Sequence, residues 1–243
     1  MDRRIAILGD IHSNLEALSA VVEDARSRGA TDFVSVGDIV GYNTDPSACI
    51  KRIRELNCLC VRGNHDHYCC SNEEGLEDFQ PRAANVIDWT RRQLSEDEAH
   101  WLAVLPLSRM VMGFTLVHST LDMPDHWGYV FDLLDAEAHF NYQTTTLCFH
   151  GHTHVPLVFE KRSEVIRAET ANLIVSFGVK YFINVGSVGQ PRDGDPRSSY
   201  VMYLPKLKKL EFLRVPYDFE TTAEKVRAAG LPERNAQRLG QGR

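Results

Sequence analysis

The chain has 243 residues, of which 43% are hydrophobic and 25% charged, a composition typical of a globular protein with a sizeable core. The formal net charge is −6 and there is no run of basic residues, so an extended track for nucleic acid is excluded. No apolar segment approaches the ~20 residues of a membrane-spanning helix, and the short apolar start does not resemble a signal peptide. We therefore expect a cytoplasmic protein without membrane contact, whose six cysteines are reduced.

The first third of the chain alternates predicted strands and helices. Strands are predicted over 4–8, 32–36 and 59–61, because these segments are short, apolar and bounded by turn residues. Between them, apolar residues at helical spacing predict a helix over 14–28 and another that starts at Asp45 and Pro46. This order predicts a parallel sheet with crossover helices.

Helices are then predicted over 81–94 and 95–105, and the second opens with a capping box formed by Ser95 and Glu98. After Pro106, strands are predicted over 109–112, 114–118, 146–149, 157–160, 181–185, 200–204 and 210–215. Helices over 135–142 and 221–229 and a polar tail from Gly230 complete the pattern, and His139 is predicted to lie at a surface or edge. We expect a single domain over 1–243, in which two stacked mixed sheets are flanked by helices.

Residues that bind divalent metals occur in five separated blocks. The blocks are Asp10-Ile11-His12, Gly37-Asp38, Gly63-Asn64-His65-Asp66, His118 and Gly151-His152-Thr153-His154. Asp10, Asp38 and Asn64 each follow a predicted strand, and the carboxyl ends of parallel strands meet at one edge of a sheet. Since Asp, Asn and His are ligands for divalent metals, the sequence predicts a two-metal hydrolytic site at this edge.

The same blocks read G-D-I-H-S-N, V-G-D-I-V-G, R-G-N-H-D, L-V-H-S and H-G-H-T-H, and in this order they resemble the calcineurin-like metallophosphoesterases. The later stretch N-V-G-S-V-G-Q-P-R is similar to the small bacterial phosphoesterases of that superfamily. The resemblance implies a four-layer α-β-β-α sandwich and two adjacent metal ions. It implies that Asp10, His12, Asp38 and His154 hold one ion, and that Asp38, Asn64, His118 and His152 hold the other, with Asp38 bridging.

The implied chemistry is hydrolysis of a phosphate ester. Two cations about 3.5–4 Å apart lower the pKa of a shared water, so that hydroxide can attack phosphorus near neutral pH. They also neutralise the charge of the phosphoryl oxygens. His65 resembles the histidine of the family that protonates the leaving group or steadies the phosphoryl oxygens, and Asp66 is expected to orient it. Donors of this kind suit Mn, Fe, Co, Ni or Zn, and the resemblance favours Mn or Fe.

Three further residues are candidates for contact with the substrate. Asn14 could contact phosphate or cap the first predicted helix. His126 belongs to an aromatic and polar loop over 124–129, which could be a binding wall or simply a packed loop. Arg192 could contact phosphate or pair with a neighbouring aspartate, Asp193 or Asp195.

The choice of substrate depends on a departure from the phosphatase pattern. Ser/Thr phosphoprotein phosphatases carry G-D-x-V-D-R-G, whereas this chain reads G-D-I-V-G-Y-N and has Tyr42 in place of the arginine. This favours a phosphodiesterase that acts on a small phosphate ester, with nucleotides among the candidates. The alternatives are a phosphomonoesterase or protein phosphatase, a dinucleoside polyphosphate hydrolase, and an inactive binding scaffold of the same fold. The sequence does not indicate an oligomeric state.

Overall fold

The computed structural model describes residues 2–71, 81–170 and 172–243. Its first elements are β1 (Ile5–Leu8), α1 (Leu15–Ser27), β2 (Asp32–Ser35), α2 (Pro46–Glu55), β3 (Leu59–Cys60) and α3 (Asn64–Cys70). The predicted alternation of strands and helices is confirmed. The sequence analysis did not predict α3, which starts inside the third block of candidate ligands.

Two helices and a series of strands follow. They are α4 (Pro81–Gln93), α5 (Glu96–Ala103), β4 (Ser108–Val111), β5 (Phe114–Val117), α6 (Leu133–Phe140), β6 (Leu147–His150), β7 (Leu157–Lys161), β8 (Val165–Ala168), β9 (Leu173–Ile174), β10 (Lys180–Asn184), β11 (Ser198–Leu204), β12 (Lys209–Val215), α7 (Phe219–Ala228) and α8 (Glu233–Leu239). Ser95 and Glu98 form the predicted capping box of α5. The segment after Gly230, expected to be a polar tail, contains α8, whose Ala236 and Leu239 are buried in a cluster with residues of α7.

Within the described residues, the strands form two six-stranded sheets. The first has the order β3-β2-β1-β11-β12-β9, and the second has the order β4-β5-β6-β10-β7-β8. In the first sheet β1, β2 and β3 are parallel, and in the second β5, β6 and β10 are parallel, whereas the other neighbours are antiparallel. The carboxyl ends of the parallel strands therefore gather at one edge of each sheet.

Alternation along β1 shows how the layers are stacked. Ile5 and Ile7 are buried between the sheets, in a cluster that includes Phe149 of the second sheet. Ala6 and Leu8 point the other way and pack with residues of α1 and α2. The outer face of the second sheet packs against α6 in a separate cluster. The predicted four-layer α-β-β-α sandwich is confirmed.

His139 on α6 is a correction to the sequence analysis, because it is fully buried and not at a surface or edge. Its ring stacks on Phe182 with centroids 3.4 Å apart, and its Nε2 donates to Gln143 Oε1 at 3.1 Å. Its Nδ1 accepts the backbone N–H of Leu121. Burial lowers the pKa of His139 to about 3, so the ring is neutral.

Among the described residues, no helix is both long and apolar enough to cross a membrane.

Candidate metal centre

The loops after β1 and β2 are joined by backbone hydrogen bonds. The N–H of Asp10 donates to the carbonyl of Gly37 at 3.0 Å, and the N–H of His12 donates to that of Asp38 at 2.9 Å. Asp10, His12 and Asp38 all have positive φ, at 52°, 50° and 53°. Left-handed backbone is costly for such residues, so these contacts between the loops hold a conformation that neither loop would keep alone.

The second sheet contributes three histidines to the same edge. His118 directly follows β5, and His152 and His154 lie in the loop after β6. The N–H of His152 donates to Asp10 Oδ1 at 3.0 Å and thereby joins the two sheets. A Cβ at Gly151 would lie 2.2 Å from Asp10 Oδ2, so only glycine lets this carboxylate approach so closely.

Four side chains form a first group of candidate ligands. His12 Nε2 lies 3.1 Å from His154 Nε2 and 3.5 Å from Asp38 Oδ2. His154 Nε2 lies 3.4 Å from Asp10 Oδ1. Donor atoms that bind one ion at ~2.1 Å are separated from one another by roughly 3–3.5 Å. The spacing within this group therefore fits one divalent cation.

Hydrogen bonds to backbone carbonyls fix the tautomers of this group. His12 Nδ1 lies 3.1 Å from the carbonyl of Val40, and His154 Nδ1 lies 2.6 Å from that of Gln190. Since a carbonyl only accepts, both Nδ1 atoms carry protons and both Nε2 lone pairs face each other. Two lone pairs at 3.1 Å repel unless a cation lies between them, so the chemistry of the donors agrees with their spacing.

A second group surrounds His118. Its Nε2 lies 3.4 Å from Asp38 Oδ2, 3.0 Å from Asn64 Oδ1 and 3.2 Å from His152 Nδ1. Its Nδ1 donates to the carbonyl of Val36 at 2.9 Å, which leaves Nε2 facing the other candidate ligands. The two groups share Asp38 Oδ2. The other oxygen of this carboxylate, Oδ1, accepts the N–H of His65 at 2.9 Å.

The two groups together place the seven side chains predicted as ligands at one point, and all seven are buried. Burial raises the pKa of Asp10 to about 7, and the negative charge of Asp38 adds to this effect. Burial alone would lower the pKa of His118, but the charge and hydrogen bond of Asp38, the charge of Asp10 and the carbonyl of Val36 together raise this pKa to about 9. In the protein without metal, a proton on His118 therefore balances the charge of Asp38. A bound cation would displace this proton.

His65 lies beside the first group. Its ring is 4.7 Å from that of His12 and 4.4 Å from that of Tyr42. Burial lowers its pKa to about 4, and within the described chain its buried Nδ1 has no hydrogen-bond partner. A Cβ at Gly41 would lie 2.4 Å from this atom. Gly41 therefore makes room for His65, a role that the sequence analysis missed although the motif contains this glycine.

Asp66, which was expected to orient His65, forms its hydrogen bonds with backbone N–H groups. Asp66 Oδ1 accepts the N–H groups of Ile39 at 2.8 Å and Val40 at 3.1 Å. Its Oδ2 accepts the N–H of Gly63 at 3.1 Å, the usual contact of an acidic residue in the first turn of a helix. Asp66 thus fixes the loop after β2 against the start of α3, and acts on the site through the backbone.

Asn14 caps the first helix, which is one of the two alternatives for this residue. Its Oδ1 accepts the N–H of Ala17 at 3.1 Å and caps α1, as the capping alternative predicts. The same oxygen accepts the hydroxyl of Thr222, and Nδ2 donates to the carbonyl of Gly189 at 2.8 Å. These contacts use both the oxygen and the nitrogen of its amide, and the side chain is fully buried.

Arg192 lies next to Tyr42, whose ring contacts His12 and His65. Its guanidinium lies over the Tyr42 ring, 5.4 Å from the centroid, and Nη2 donates to Gln190 Oε1 at 3.1 Å. The two aspartates considered as alternative partners, Asp193 and Asp195, pair instead with other arginines. Within the described residues, Tyr42 and Gln190 therefore hold the guanidinium.

The third predicted substrate residue, His126, is exposed and lines a small cavity of about 150 Å³. Two other residues of the same region contact the candidate ligands. The Trp127 ring lies 5.9 Å from that of His118, and the Tyr129 ring stacks on that of His152 at 4.2 Å. Within the described residues, Trp127 and Tyr129 of this loop therefore lie against the candidate ligands, whereas His126 lies at the cavity.

Comparisons with known proteins agree with this geometry. A family model described as the calcineurin-like phosphoesterase superfamily domain matches residues 4–206. A metallophosphoesterase of known crystal structure from Sphaerobacter thermophilus is 38% identical, with a TM-score of 0.89 over 100% of both chains. An uncharacterised protein of Methanocaldococcus jannaschii is 40% identical over 244 residues, which cover 98% of each chain. A protein of Pyrococcus horikoshii has the same fold at 19% identity, with a TM-score of 0.80 over 99% of this chain and 98% of that one.

Proposed function

We propose that this chain, which belongs to the calcineurin-like phosphoesterase superfamily, is a phosphodiesterase that works with two divalent metal ions. The observation that carries the proposal is the position of Asp38 Oδ2. This oxygen lies 3.5 Å from His12 Nε2 and 3.4 Å from His118 Nε2, so one carboxylate oxygen is shared by two groups of ligand atoms. Such sharing is expected of two ions held side by side.

The proposed ligands are the residues of the two groups. Asp10, His12, Asp38 and His154 would hold one ion, and Asp38, Asn64, His118 and His152 the other. These donors are nitrogens and oxygens with no thiolate, a set that suits Mn or Fe and is compatible with Zn, Ni and Co. When bound, the two ions supply an activated water at neutral pH and neutralise charge on the phosphoryl group.

The residues around the ions have separate tasks in this proposal. His65, next to Asn64 and over Gly41, is placed to give a proton to the leaving oxygen or a hydrogen bond to a phosphoryl oxygen. Arg192 is placed to contact a non-bridging oxygen, since a guanidinium matches the geometry of phosphate oxygens. Asp66 keeps His65 in place indirectly, because it joins the loop that carries Gly41 to the helix that carries His65.

The preference for diesters is supported by Tyr42. Its neutral ring lies 4.6 Å from that of His12 and 4.4 Å from that of His65, at the sequence position where the phosphatase branch has an arginine. A phosphomonoester carries up to two negative charges, whereas a diester carries one. A site with a neutral ring at this position is therefore better matched to the diester.

The direct test compares bis-p-nitrophenyl phosphate with p-nitrophenyl phosphate in the presence of Mn²⁺. We expect kcat/KM for the diester to be larger by roughly 10-fold or more, which corresponds to at least about 1.4 kcal/mol of transition-state stabilisation. Tyr42→Arg should shift the ratio towards the monoester, and Tyr42→Phe, the matched control, should leave it unchanged. A wild-type preference for the monoester would rule out the diesterase assignment.

A further inference from the structure

An exposed pair of aromatic rings lies beside the metal centre. Tyr129 is 53% exposed and Phe131 is 61% exposed. Their rings are nearly parallel, at 6°, with centroids 5.6 Å apart. The Tyr129 ring also stacks on His152, one of the proposed ligands, with centroids 4.2 Å apart. A stack of rings thus begins at a proposed ligand and extends outward to the exposed ring of Phe131.

This aromatic pair differs from the other exposed large hydrophobic residues. Phe177 is 99% exposed but lies in a cavity wall that contains Phe114 and Leu147, at the amino ends of β5 and β6. A single exposed aromatic residue of this kind needs no explanation. Two parallel rings in continuous contact with the site do, because their faces are a surface on which a planar aromatic group can stack.

A small cavity with several polar side chains in its wall adjoins Tyr129. It is the cavity of about 150 Å³ that His126 lines, and Asp122, Tyr129 and Asp135 also line it. Asp122 Oδ1 is buried, and the described residues offer it no hydrogen-bond partner. A buried carboxylate oxygen without a partner is costly, and a hydroxyl or N–H donor on a ligand would satisfy it. The surroundings therefore combine an aromatic surface with an acceptor for a hydrogen bond.

We infer that the phosphoester substrate carries a nucleoside, whose base stacks on Tyr129 and Phe131 while its phosphate lies at the metal centre near Arg192. This inference rests on the proposed function and adds the chemical class of the alcohol. A nucleoside has the required parts in the required order, with a phosphate, then a sugar with hydroxyl donors, then a planar base. Stacking of a base on an aromatic side chain does not depend strongly on which base it is, so the aromatic pair selects a nucleoside without selecting one base.

The test measures binding to the Mn²⁺-loaded protein by calorimetry, with adenosine 5′-monophosphate and ribose 5-phosphate as probes. The two probes differ only in the base. We expect the nucleotide to bind roughly 10-fold or more tightly than the sugar phosphate, in line with the usual strength of base stacking on protein rings. Phe131→Ala should weaken binding of the nucleotide and leave binding of the sugar phosphate unchanged.

Two matched variants complete the design. Phe131→Trp should restore tight binding of the nucleotide, because it keeps a flat ring. Phe177→Ala removes a ring that is even more exposed, at the opposite edge, and should change neither affinity. Equal affinity for the two probes, or a Phe131→Ala protein that binds the nucleotide normally, would overturn the inference while leaving diester hydrolysis intact. If neither probe binds and no diester is hydrolysed, the proposed function fails together with the inference.

Discussion

The two edges of the sandwich use the same unusual backbone conformation for different purposes. At the carboxyl edge, left-handed φ values occur at Asp10, His12, Asp38, His152 and His154, all of which are buried. At the amino edge they occur in exposed turns, for example at Met112, which is 40% exposed. At the first edge the strained residues are joined by hydrogen bonds between loops, whereas at the second they only reverse the chain. Left-handed backbone therefore indicates a functional site only where the strained residues are buried and their polar atoms converge.

The largest effect is expected at the residue that both groups share. Asp38→Asn removes the charge next to both proposed ions and keeps an oxygen for the N–H of His65. We expect kcat/KM to fall on the order of 10³-fold, because a metal site contributes several kcal/mol to stabilising the transition state. Activity and metal content measured together will check this.

Asp97→Asn is the matched control, since Asp97 is an exposed partner of Arg54 on the protein surface. It should keep full activity and full metal content. An Asp38→Asn protein with normal turnover would show that the carboxyl edge is not the reaction site.

The next comparison substitutes one glycine at each edge. Gly41 and Gly113 have similar φ, at 95° and 88°, so alanine strains the backbone about equally at both. At Gly41 the new Cβ would lie 2.4 Å from His65 Nδ1, whereas at Gly113 it meets nothing within 4 Å. We expect Gly41→Ala to lower kcat/KM on the order of 10²-fold by displacing His65. Gly113→Ala should cost about 1 kcal/mol of stability and no activity.

Urea unfolding and steady-state kinetics on both glycine variants will separate the two effects. Equal losses of activity in the two would mean that strain, and not the contact with His65, determines the outcome.

A pH series examines a buried histidine outside the site. Burial lowers the pKa of His139 to about 3 in the folded protein, whereas an unfolded histidine titrates near 6.5. Between these values the unfolded chain binds the extra proton, so stability is full above about pH 6.5 and is lost as the pH falls towards 3. The contribution of His139 should have decreased by about 2 kcal/mol at pH 5.

Chelated protein is suitable for this measurement, because release of metal then adds nothing to the pH dependence. His139→Gln should be less stable than wild type near pH 7.5, and the difference between the two free energies of unfolding should shrink as the pH is lowered. A difference that stays constant with pH would show that His139 does not titrate as its burial requires.

The smallest effect is expected in the hairpin at the amino edge. Met112 and Gly113 form the two-residue turn between Val111 and Phe114, and both have positive φ. Asparagine adopts this conformation more readily than methionine, so Met112→Asn should stabilise the protein by about 0.5–1 kcal/mol. Thermal unfolding will measure the gain, and unchanged kinetics will show that strain at this edge has no function. Lower activity in this variant would contradict the contrast between the edges.

The convergence of the ligand blocks on one edge could be predicted from local patterns and simple topology, whereas the assignment of each ligand to an ion came from the family resemblance. Asp10 and Asp38 follow short apolar strands, and a strand–helix–strand order makes those strands parallel. The positions of their carboxyl ends then follow without knowledge of any tertiary contact. His152 and His154 follow a predicted strand of the second sheet, and the structure brings His152 to Asp38 and His154 to Asp10.

Orientations within the site could not be predicted, because they depend on contacts between distant segments. Asp66 was assigned to its neighbour His65, yet α3 starts at Asn64 and turns Asp66 back towards Gly63. The available signal was the spacing of Gly63 and Asp66, since an acidic third residue of a helix often accepts the N–H of the residue that caps it. His139 is buried only because α6 packs on the second sheet, and nothing in its own sequence neighbourhood indicates that contact.

The segment after β10 gives the proposed ions a second consequence. Asn184 donates to the carbonyl of Gly151, Ser187 donates to that of Asp10, and Gly189 donates to the same carbonyl of Asp10, so one short segment ties the loops of both halves together. The proposed ions would lie between Asp10 or Asp38, which follow strands of the first sheet, and His118 or His154, which follow strands of the second. They would therefore stabilise the same contact between the two sheets. Starving the protein of metal should then loosen the two halves from each other and shorten its survival against proteases, so that its abundance would follow the metal supply of its surroundings.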